Sequence, residues 1–330
     1  MSEPTRQDTG ALLEITDLTV GFADARGILL AADQVSLRLD SNQTLGLLGE
    51  SGCGKSVTLR SVLGLVPYPG EVIAGRIAWR GQDLRGISRQ EMERIRGKEI
   101  SMIFQDPTSC LNPVFTVGNQ IVETLRSKLG MSARDAYHRA VELLAHVGIP
   151  SPEQRLALYP HQLSGGMRQR IMIAIAIACQ PDLLLADEPT TALDVTIQDQ
   201  ILNLLASLQQ ETGMAMILVS HDVGVIAQNC DRVAIMYAGR IMEYGTAREV
   251  IRQPRHPYTR GLLAAVPTLE RAGERRPLTS IPGQPPNLAD LPQGCPFQPR
   301  CPFVREACAT IPAALDRSYP DHGSACPFVD

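Results

Sequence analysis

The chain has 330 residues, enough for one large domain with an appendage or for two domains. Apolar residues make up 44% of it and charged residues 20%, as in globular proteins that bury a sizeable core. The net charge of −4, from 31 basic and 35 acidic side chains, gives no support to a nucleic-acid-binding protein.

The amino-terminal sequence MSEPTRQDTG contains no apolar stretch of the kind that signal peptides carry. The longest apolar run, IMIAIAIAC at 171–179, is much shorter than the roughly 20 residues that cross a bilayer. We therefore expect the chain to stay in the cytosol, and any membrane-spanning part of its function to lie in other subunits.

The first predicted elements surround a glycine-rich loop. Residues 12–20, LLEITDLTV, alternate in part and predict an edge or half-buried strand, whereas TLGLL at 44–48 predicts a short buried strand. Apolar residues then recur at helical spacing over 59–66. The loop GESGCGKS at 49–56 therefore connects a strand to a helix.

This loop has the spacing G-x-x-x-x-G-K-S. Its backbone N–H groups would cradle phosphates at the positive end of the helix that follows. Lys55 would reach the β- and γ-phosphates, and the Ser56 hydroxyl would bind Mg²⁺. The predicted phosphate-binding residues are Gly49, Glu50, Ser51, Gly52, Cys53, Gly54, Lys55, Ser56 and Val57.

Two helices are predicted in the middle of the chain. Ser132 caps an amphipathic helix over 132–148, and residues 166–179 predict an unusually apolar, buried helix. LSGGM at 163–167 begins this second helix, and its glycines form another anion-binding helix start. Because one nucleotide's phosphates already have a cradle, this second site would serve a nucleotide held by another subunit.

Two buried strands of the parallel-sheet type end in polar side chains. LLLA at 183–186 is followed by Asp187 and Glu188, and MAMILVS at 214–220 is followed by His221. Ligands bind outside the carboxyl ends of strands in open α/β sheets, so we expect these groups to share one crevice with the loop. Asp187 would support Mg²⁺ through water, Glu188 would polarise the water that attacks the γ-phosphate, and His221 would hydrogen-bond that phosphate.

The carboxyl end carries a proline-rich connector and a cysteine cluster. Six prolines fall between 267 and 292 with little periodicity, which predicts an extended segment. Four thiolates with the spacing C-x5-C-x6-C-x17-C suit either Zn²⁺ or an iron–sulfur cluster. The wide spacing favours [4Fe–4S], with zinc and unliganded thiols as alternatives, and the role would be structural because the segment has little core. The cysteines are Cys295, Cys301, Cys308 and Cys326.

The order of these motifs resembles the ATPase subunit of ABC transporters. It runs from GESGCGKS through FQDP, LSGGM and LLLADEPTTALD to SHD, within roughly residues 12–262. The resemblance implies an α/β P-loop ATPase domain with a mixed or parallel sheet core and a helical subdomain. It also implies a head-to-tail pair of ATPases, with ATP between the phosphate loop of one subunit and the LSGG segment of the other.

The same resemblance implies roles for further residues. Gln105 would sense the γ-phosphate and Mg²⁺ and couple them to the membrane subunits, Asp194 would link the two ATP sites, and Phe22 would stack on adenine. The residues implied to contact the ATP of the paired subunit are Ser164, Gly165 and Gly166.

The carboxyl-terminal sequence narrows the resemblance. RHPYTRGLLAAVP at 255–267, GCPFQPRCPF at 294–303 and FQDPTSCLNPVFTVGNQI from 104 are similar to the dipeptide, oligopeptide and nickel branch of ABC importers. The branch implies an ATPase domain over 11–262, with a helical subdomain at about 107–180, and a small Cys-rich extension over 263–330. It also implies ATP and Mg²⁺ as cofactors and a [4Fe–4S] cluster on the cysteines.

The implied function is ATP hydrolysis that energises import of di- and oligopeptides. The implied partners are two transmembrane permease subunits, a second homologous ATPase in a heterodimer, and a periplasmic or extracellular substrate-binding protein. The chain would be peripheral, at the cytoplasmic face of the inner membrane. The alternatives are an importer of nickel or another small solute, a soluble ABC ATPase of DNA repair or translation, and a metal-sensing module with secondary ATPase activity.

Overall fold

The structure is a computed structural model that describes residues 10–25, 27–191, 193–266, 280–312, 314–315 and 322–328. Most of the predicted connector, 267–279, lies outside the described residues. The described remainder, 280–292, has little regular structure beyond a 3₁₀ turn at Leu288–Asp290. Across the described chain, each helix is too short or too polar to span a bilayer.

The strands and helices alternate along much of the chain. The strands are β1 Leu13–Asp24, β2 Gly27–Leu39, β3 Thr44–Leu48, β4 Gly70–Trp79, β5 Gln82–Asp83, β6 Ile100–Ile103, β7 Leu183–Asp187, β8 Ala215–Ser220, β9 Arg232–Tyr237, β10 Arg240–Thr246 and β11 His322–Ser324. The helices are α1 Lys55–Val62, α2 Arg89–Ile95, α3 Pro107–Cys110, α4 Val117–Leu129, α5 Ala133–His146, α6 Pro152–Leu156, α7 Gly165–Ile177, α8 Val195–Thr212, α9 Val223–Asn229, α10 Ala247–Arg252 and α11 Pro257–Ala264.

The chain divides into two compact units. The first comprises Met1–Asp40, Thr44–Gly86 and Ser220–Asp330, and the second Ser41–Gln43 and Ile87–Val219. The cysteine-rich segment thus groups with the phosphate loop. The sequence-based domain bounds, 11–262 and 263–330 with a helical subdomain at about 107–180, stay a prediction.

The first unit contains an antiparallel sheet with the order β2-β1-β4-β5. The prediction that 12–20 is an edge strand is wrong, because β1 pairs with β2 on one side and with β4 on the other. The alternative, a half-buried strand, fits the observed burial, in which exposed and buried residues mix along β1. The partial alternation in the sequence therefore reports the two faces of the strand and not an unpaired edge.

The first unit also holds the strands β11, β10, β9 and β3, in that order. β3 runs parallel to β9, whereas β9 with β10 and β10 with β11 are antiparallel, so this sheet is mixed. α1 begins immediately after the loop that follows β3 and ends at Val62, earlier than the predicted 59–66. It ends there because the chain turns, and the Arg60 carbonyl accepts N–H bonds from Leu63 and Leu65.

The second unit contains the parallel strands β6, β7 and β8, with β7 in the middle. All their residues in this unit are buried, which agrees with the continuous apolar runs of the sequence. α5 begins after Ser132, whose hydroxyl accepts the Asp135 N–H at 3.2 Å, as predicted. α7 is apolar on most sides and packs against neighbouring helices and β6, again as predicted.

A buried carboxylate holds the end of the chain to the first unit. Glu243, on β10, is fully buried and accepts hydrogen bonds from the backbone N–H groups of Arg255 and His256, both at 2.8 Å. It also contacts His322 on β11, with Nε2 2.6 Å from the Glu243 carboxylate. This network fixes the strand β11 and the start of α11 to β10, and so positions the cysteine-rich segment.

Candidate functional site

The loop at 49–56 lies against two backbone carbonyls. A Cβ on Gly49 would collide with the carbonyl oxygen of Met236, and one on Gly54 with that of Ala31. Gly54 also has a φ of +104°, which side chains rarely adopt. The two glycines of the motif are therefore required by the packing of the loop, independently of any ligand.

Lys55 lies inside the loop. Its side chain is buried, and Nζ donates to the carbonyl oxygens of Gly49 at 2.7 Å and Glu50 at 3.0 Å. The Cys53 sulfur lies 3.8 Å from the same ammonium, and burial raises the pKa of the Cys53 thiol. The Lys55 ammonium therefore has uncharged carbonyl and thiol groups as its neighbours, so its positive charge is available to a polyanionic ligand.

The helix start adds to this arrangement. α1 begins at Lys55 with Gly54 as its N-cap and with no side-chain cap. The first turn of a helix presents N–H groups that lack intrahelical acceptors, and its dipole favours an anion there. Ser56 and Val57 are half-buried in this first turn, whereas Ser51 and Gly52 are exposed in the loop. The predicted phosphate-binding residues are thus consecutive in the loop and the first turn of α1, with Gly49, Cys53 and Lys55 buried and the others at least partly exposed.

The strand-end carboxylates of the second unit differ from each other. Asp187 is fully buried at the end of β7. Glu188 has a φ of +47°, a left-handed conformation that costs a residue with a side chain about 1–3 kcal/mol. Its backbone N–H donates to the Val219 carbonyl at 3.2 Å, which holds the strained residue next to β8. Strain of this kind is concentrated at functional sites.

The Glu188 carboxylate has two side-chain partners. Gln105 Nε2 donates to it at 3.0 Å, so the structure brings together two residues that the sequence predicted. Thr191 Oγ1 lies 2.9 Å from the same oxygen, and sequence reasoning missed this residue. The threonines that follow DEP could have indicated it, because a hydroxyl three residues on can reach back to a strand end. A second missed residue is buried Gln169, whose amide donates to the Pro189 carbonyl at 2.6 Å.

The LSGGM segment forms the start of α7. Ser164 is exposed, and its hydroxyl accepts the Met167 N–H at 3.3 Å as the N-cap. Gly165 is half-buried, and a Cβ on Gly166 would lie 3.1 Å from Ile197. Asp194 is exposed and caps α8 through the Ile197 N–H at 2.9 Å. These two helix starts therefore lie near one surface of the second unit.

His221 and Phe22 lie in the first unit. His221 is exposed directly after β8. Phe22 is half-buried on β1 opposite Gly70 of β4, where a Cβ would collide with its ring. The absence of a side chain at Gly70 thus allows the Phe22 ring to lie against the backbone of β4. The predicted meeting of these residues and the loop with the carboxylates of the second unit stays a prediction.

The four carboxyl-terminal cysteines line one cavity of about 180 Å³ in the first unit. Burial raises the pKa of the Cys295, Cys301 and Cys326 thiols, and the neighbouring cysteines raise it further. All four are free thiols, and the Cys295 N–H donates to the Cys308 carbonyl at 2.9 Å. Among the described residues, no group of three or more His, Cys, Asp or Glu side chains is placed to hold a metal ion.

Comparisons with known proteins decide the family. The model of the family "ABC transporter" matches residues 32–191, and that of "Oligopeptide/dipeptide transporter, C-terminal region" matches 242–308. The chain is 48% identical to the oligopeptide transport ATP-binding protein OppD of Salmonella typhimurium over 320 residues, 97% of this chain and 94% of that protein. It belongs to the ABC transporter family. It is also 50% identical to the dipeptide transport ATP-binding protein DppD of Bacillus subtilis over 310 residues, 94% and 90% of the two chains.

The fold of this ABC protein is similar to solved cassettes. A dimeric ATP-binding cassette in a post-hydrolysis state, bound to ADP and Pi, matches with a TM-score of 0.65 and 27% identity, over 72% of this chain and 99% of that one. A part of the transporter complex cbiONQ from Clostridium perfringens, cbiO1, matches with a TM-score of 0.63 and 25% identity, over 74% and 92%. The predicted fold class and the motif-based identification of the family are confirmed.

Replacement of Glu188 by glutamine tests its role in this ABC ATPase. Since Glu188→Gln removes the basic carboxylate but keeps a side chain of the same size, phosphate release from ATP should fall about 10²- to 10⁴-fold. Equilibrium binding of Mg-ATP should persist. Glu211→Gln, which alters an exposed carboxylate 2.9 Å from His146 in the same unit, is the matched control. Hydrolysis at the wild-type rate by Glu188→Gln would remove Glu188 from the mechanism.

Proposed function

We propose that this chain hydrolyses ATP to energise the import of di- and oligopeptides through separate membrane subunits. The observation that carries the proposal is near full-length identity of 46–50% to oligopeptide and dipeptide transport ATP-binding proteins. The geometry of the loop supports it, because a buried lysine and an uncapped helix start form an anion site there.

Residues of both units would supply the parts that phosphoryl transfer to water needs. The Lys55 ammonium, which is held by the Gly49 and Glu50 carbonyls, would turn to the β- and γ-phosphates. Glu188 would orient the attacking water, with Gln105 and Thr191 fixing its carboxylate. His221 would hydrogen-bond the γ-phosphate.

Mg²⁺ is the second cofactor in this proposal. It prefers oxygen ligands, and we propose that it takes the Ser56 hydroxyl, which the first unit carries, and the Asp187 carboxylate, which the second unit carries, with Gln105 as a further ligand. Asp187 is fully buried, which keeps its carboxylate in one place. When bound, the ion would neutralise charge on the β- and γ-phosphates.

We further propose that the chain works as one half of a pair. Ser164 and Asp194 are exposed at helix starts, as a contact with the nucleotide of a second subunit requires. The second subunit would be a homologous ATPase, and Gly165 and Gly166 would let its ATP approach the backbone closely. The pair would sit at the cytoplasmic face of the membrane, on two permease subunits served by a substrate-binding protein.

Reconstitution of the transporter tests the proposed function. In proteoliposomes that contain the chain with its permease and ATPase partners, uptake of labelled peptides should require ATP and should be lost with Lys55→Ala. Lys98→Ala, which alters an exposed lysine outside the loop, should leave uptake intact. ATP-dependent uptake of nickel but not of peptides would show that the proposed substrate is wrong. ATP hydrolysis without any uptake would refute the transport function.

A separate proposal concerns the cysteine-lined cavity, which we propose holds a [4Fe–4S] cluster. Four thiolates on one Zn²⁺ lie only about 3.8 Å apart, because each Zn–S bond is about 2.3 Å long. The four thiols line one cavity together with other residues, and among the described residues no three such side chains are placed to hold a single ion, so a larger group bridging the thiols is the better candidate. The residues Cys295, Cys301, Cys308 and Cys326 would hold it. The cluster would supply four bonds that hold together a segment with little core of its own.

Anaerobic purification of the full chain tests this cofactor. The protein should show the broad visible absorption of an iron–sulfur centre and about four iron atoms per chain. Cys301→Ala should lose both signals, whereas Cys110→Ala, which alters an exposed cysteine outside the cavity, should keep them. A colourless wild-type protein with stoichiometric zinc would refute the assignment.

A further inference from the structure

The phosphate loop is bonded to the cysteine-rich segment by a two-point ion pair. The Arg300 guanidinium donates through NH1 to one Glu50 carboxylate oxygen at 2.7 Å and through NH2 to the other at 3.0 Å. Arg300 is buried, and it directly precedes Cys301, one of the cysteines that line the cavity. A bidentate pair of this kind fixes orientation as well as distance.

Arg300 itself is held by neighbours in the first unit. Its Nε donates to the Pro282 carbonyl at 2.9 Å, and its NH1 lies 3.4 Å from the Tyr237 hydroxyl. The guanidinium carbon also lies 5.8 Å from the centre of the Tyr237 ring. The arginine therefore has little freedom to turn away from Glu50, and its position follows that of the segment that carries it.

The backbone of the loop is held at the same residue. The Glu50 N–H donates to the Tyr258 hydroxyl at 3.1 Å. The Tyr258 ring is fully buried, 4.5 Å from the Tyr237 ring and 5.3 Å from the Phe297 ring, centre to centre. Phe297 lines the cysteine cavity. The main chain of Glu50 thus contacts Tyr258, which packs against one residue of the cavity lining, and its side chain contacts Arg300, which directly precedes another.

The ion pair between Arg300 and Glu50 affects how the loop would bind a negatively charged ligand. Glu50 places a carboxylate in a loop whose proposed ligand is a chain of phosphates, and like charges at close range repel. Arg300 neutralises this carboxylate and turns it toward the carboxyl-terminal segment, while the Glu50 carbonyl accepts a bond from Lys55. Loss of the arginine would leave the Glu50 carboxylate without its bidentate partner, in the loop that is proposed to bind the phosphates.

We propose that Arg300 is a positioning residue of the nucleotide site, which holds Glu50 and with it the phosphate loop in a place set by the cysteine-rich segment. The inference rests on the proposed binding of ATP to this loop. Because coupling between two sites is reciprocal, nucleotide in the loop should also stabilise the segment around the cavity.

Nucleotide binding to arginine variants of the full chain tests the positioning role. Arg300→Gln should raise the dissociation constant of Mg-ATP about 10-fold, which is within the range usual for coupled sites. Arg300→Lys should raise it less, because lysine keeps the positive charge but cannot form the two parallel hydrogen bonds of the guanidinium. The KM for ATP should rise more than kcat falls. Arg38→Lys, which alters an exposed arginine 3.2 Å from Asp40, is the control and should bind as wild type.

A double-mutant cycle separates this role from a general loss of structure. Glu50→Gln removes the charge that Arg300 offsets, so Arg300→Gln should have little further effect on the dissociation constant in that background. Limited proteolysis of the purified variants reports whether the cysteine-rich segment is still folded. Additive effects of the two substitutions, or wild-type affinity in Arg300→Gln, would overturn the proposal.

Hydrogen–deuterium exchange gives the reciprocal measurement. In the wild type, Mg-ATP should slow the exchange of backbone amides over 295–308, and in Arg300→Gln this protection should disappear. Equal protection in both proteins would contradict the coupling. If the wild type failed to bind Mg-ATP at all, the proposed function would fail, whereas normal binding with no effect of the Arg300 variants would refute this inference alone.

Discussion

The approach of the phosphate loop to two backbone carbonyls is the constraint on which the rest depends. Gly49 lies so near the Met236 carbonyl, and Gly54 so near that of Ala31, that no side chain fits between them. The Gly239 N–H also donates to the Cys53 carbonyl of the loop at 3.0 Å. A loop held this way keeps its backbone in place, so its amides are arranged before a ligand arrives and only the Lys55 side chain has to turn.

In the first unit, close packing fixes the backbone of the loop, whereas in the second unit a strained backbone conformation orients the candidate catalytic carboxylate. Glu188 leaves β7 in a left-handed conformation, and the surrounding hydrogen bonds from Gln105 and Thr191 and to Val219 keep it there. A residue held by so many contacts in a costly conformation has one orientation for its carboxylate. This is the property that a base positioning a water molecule needs.

Local patterns in the sequence predict much of the fold and the polar groups of the candidate site. The glycine loop between a strand and a helix, the buried parallel strands and the Ser132 cap are all readable, because each depends on residues within a few positions of one another. The position of β1 inside its sheet cannot be predicted in this way, because its pairing with β4 joins residues 48 to 66 positions apart, from Phe22 with Gly70 to Leu13 with Trp79. Alternation along a strand reports its faces but not its neighbours.

The contacts that tune the site are also hidden from local patterns. Arg300 and Glu50 are 250 positions apart, and neither lies in a periodic pattern from which their contact could be predicted. Tyr258 lies in the segment that identified the transporter branch, but nothing in that segment indicates that its hydroxyl reaches the loop. The contact between Thr191 and Glu188 is easier to predict from the sequence, since the two residues are only three positions apart. Spacing predicts chemistry within an element, whereas partners across the fold require coordinates.

The central claim is that the loop grips the β- and γ-phosphates of ATP through its amides and Lys55. Calorimetric titration of the full chain with ATP, ADP and AMP, each with Mg²⁺, tests it most directly. The account predicts that affinity falls at each lost phosphate and that AMP binds about 100-fold more weakly than ATP or worse, since charge-assisted bonds to the terminal phosphates supply most of the binding. Equal affinities for ATP and AMP would contradict it, because the loop would then contribute nothing to recognition.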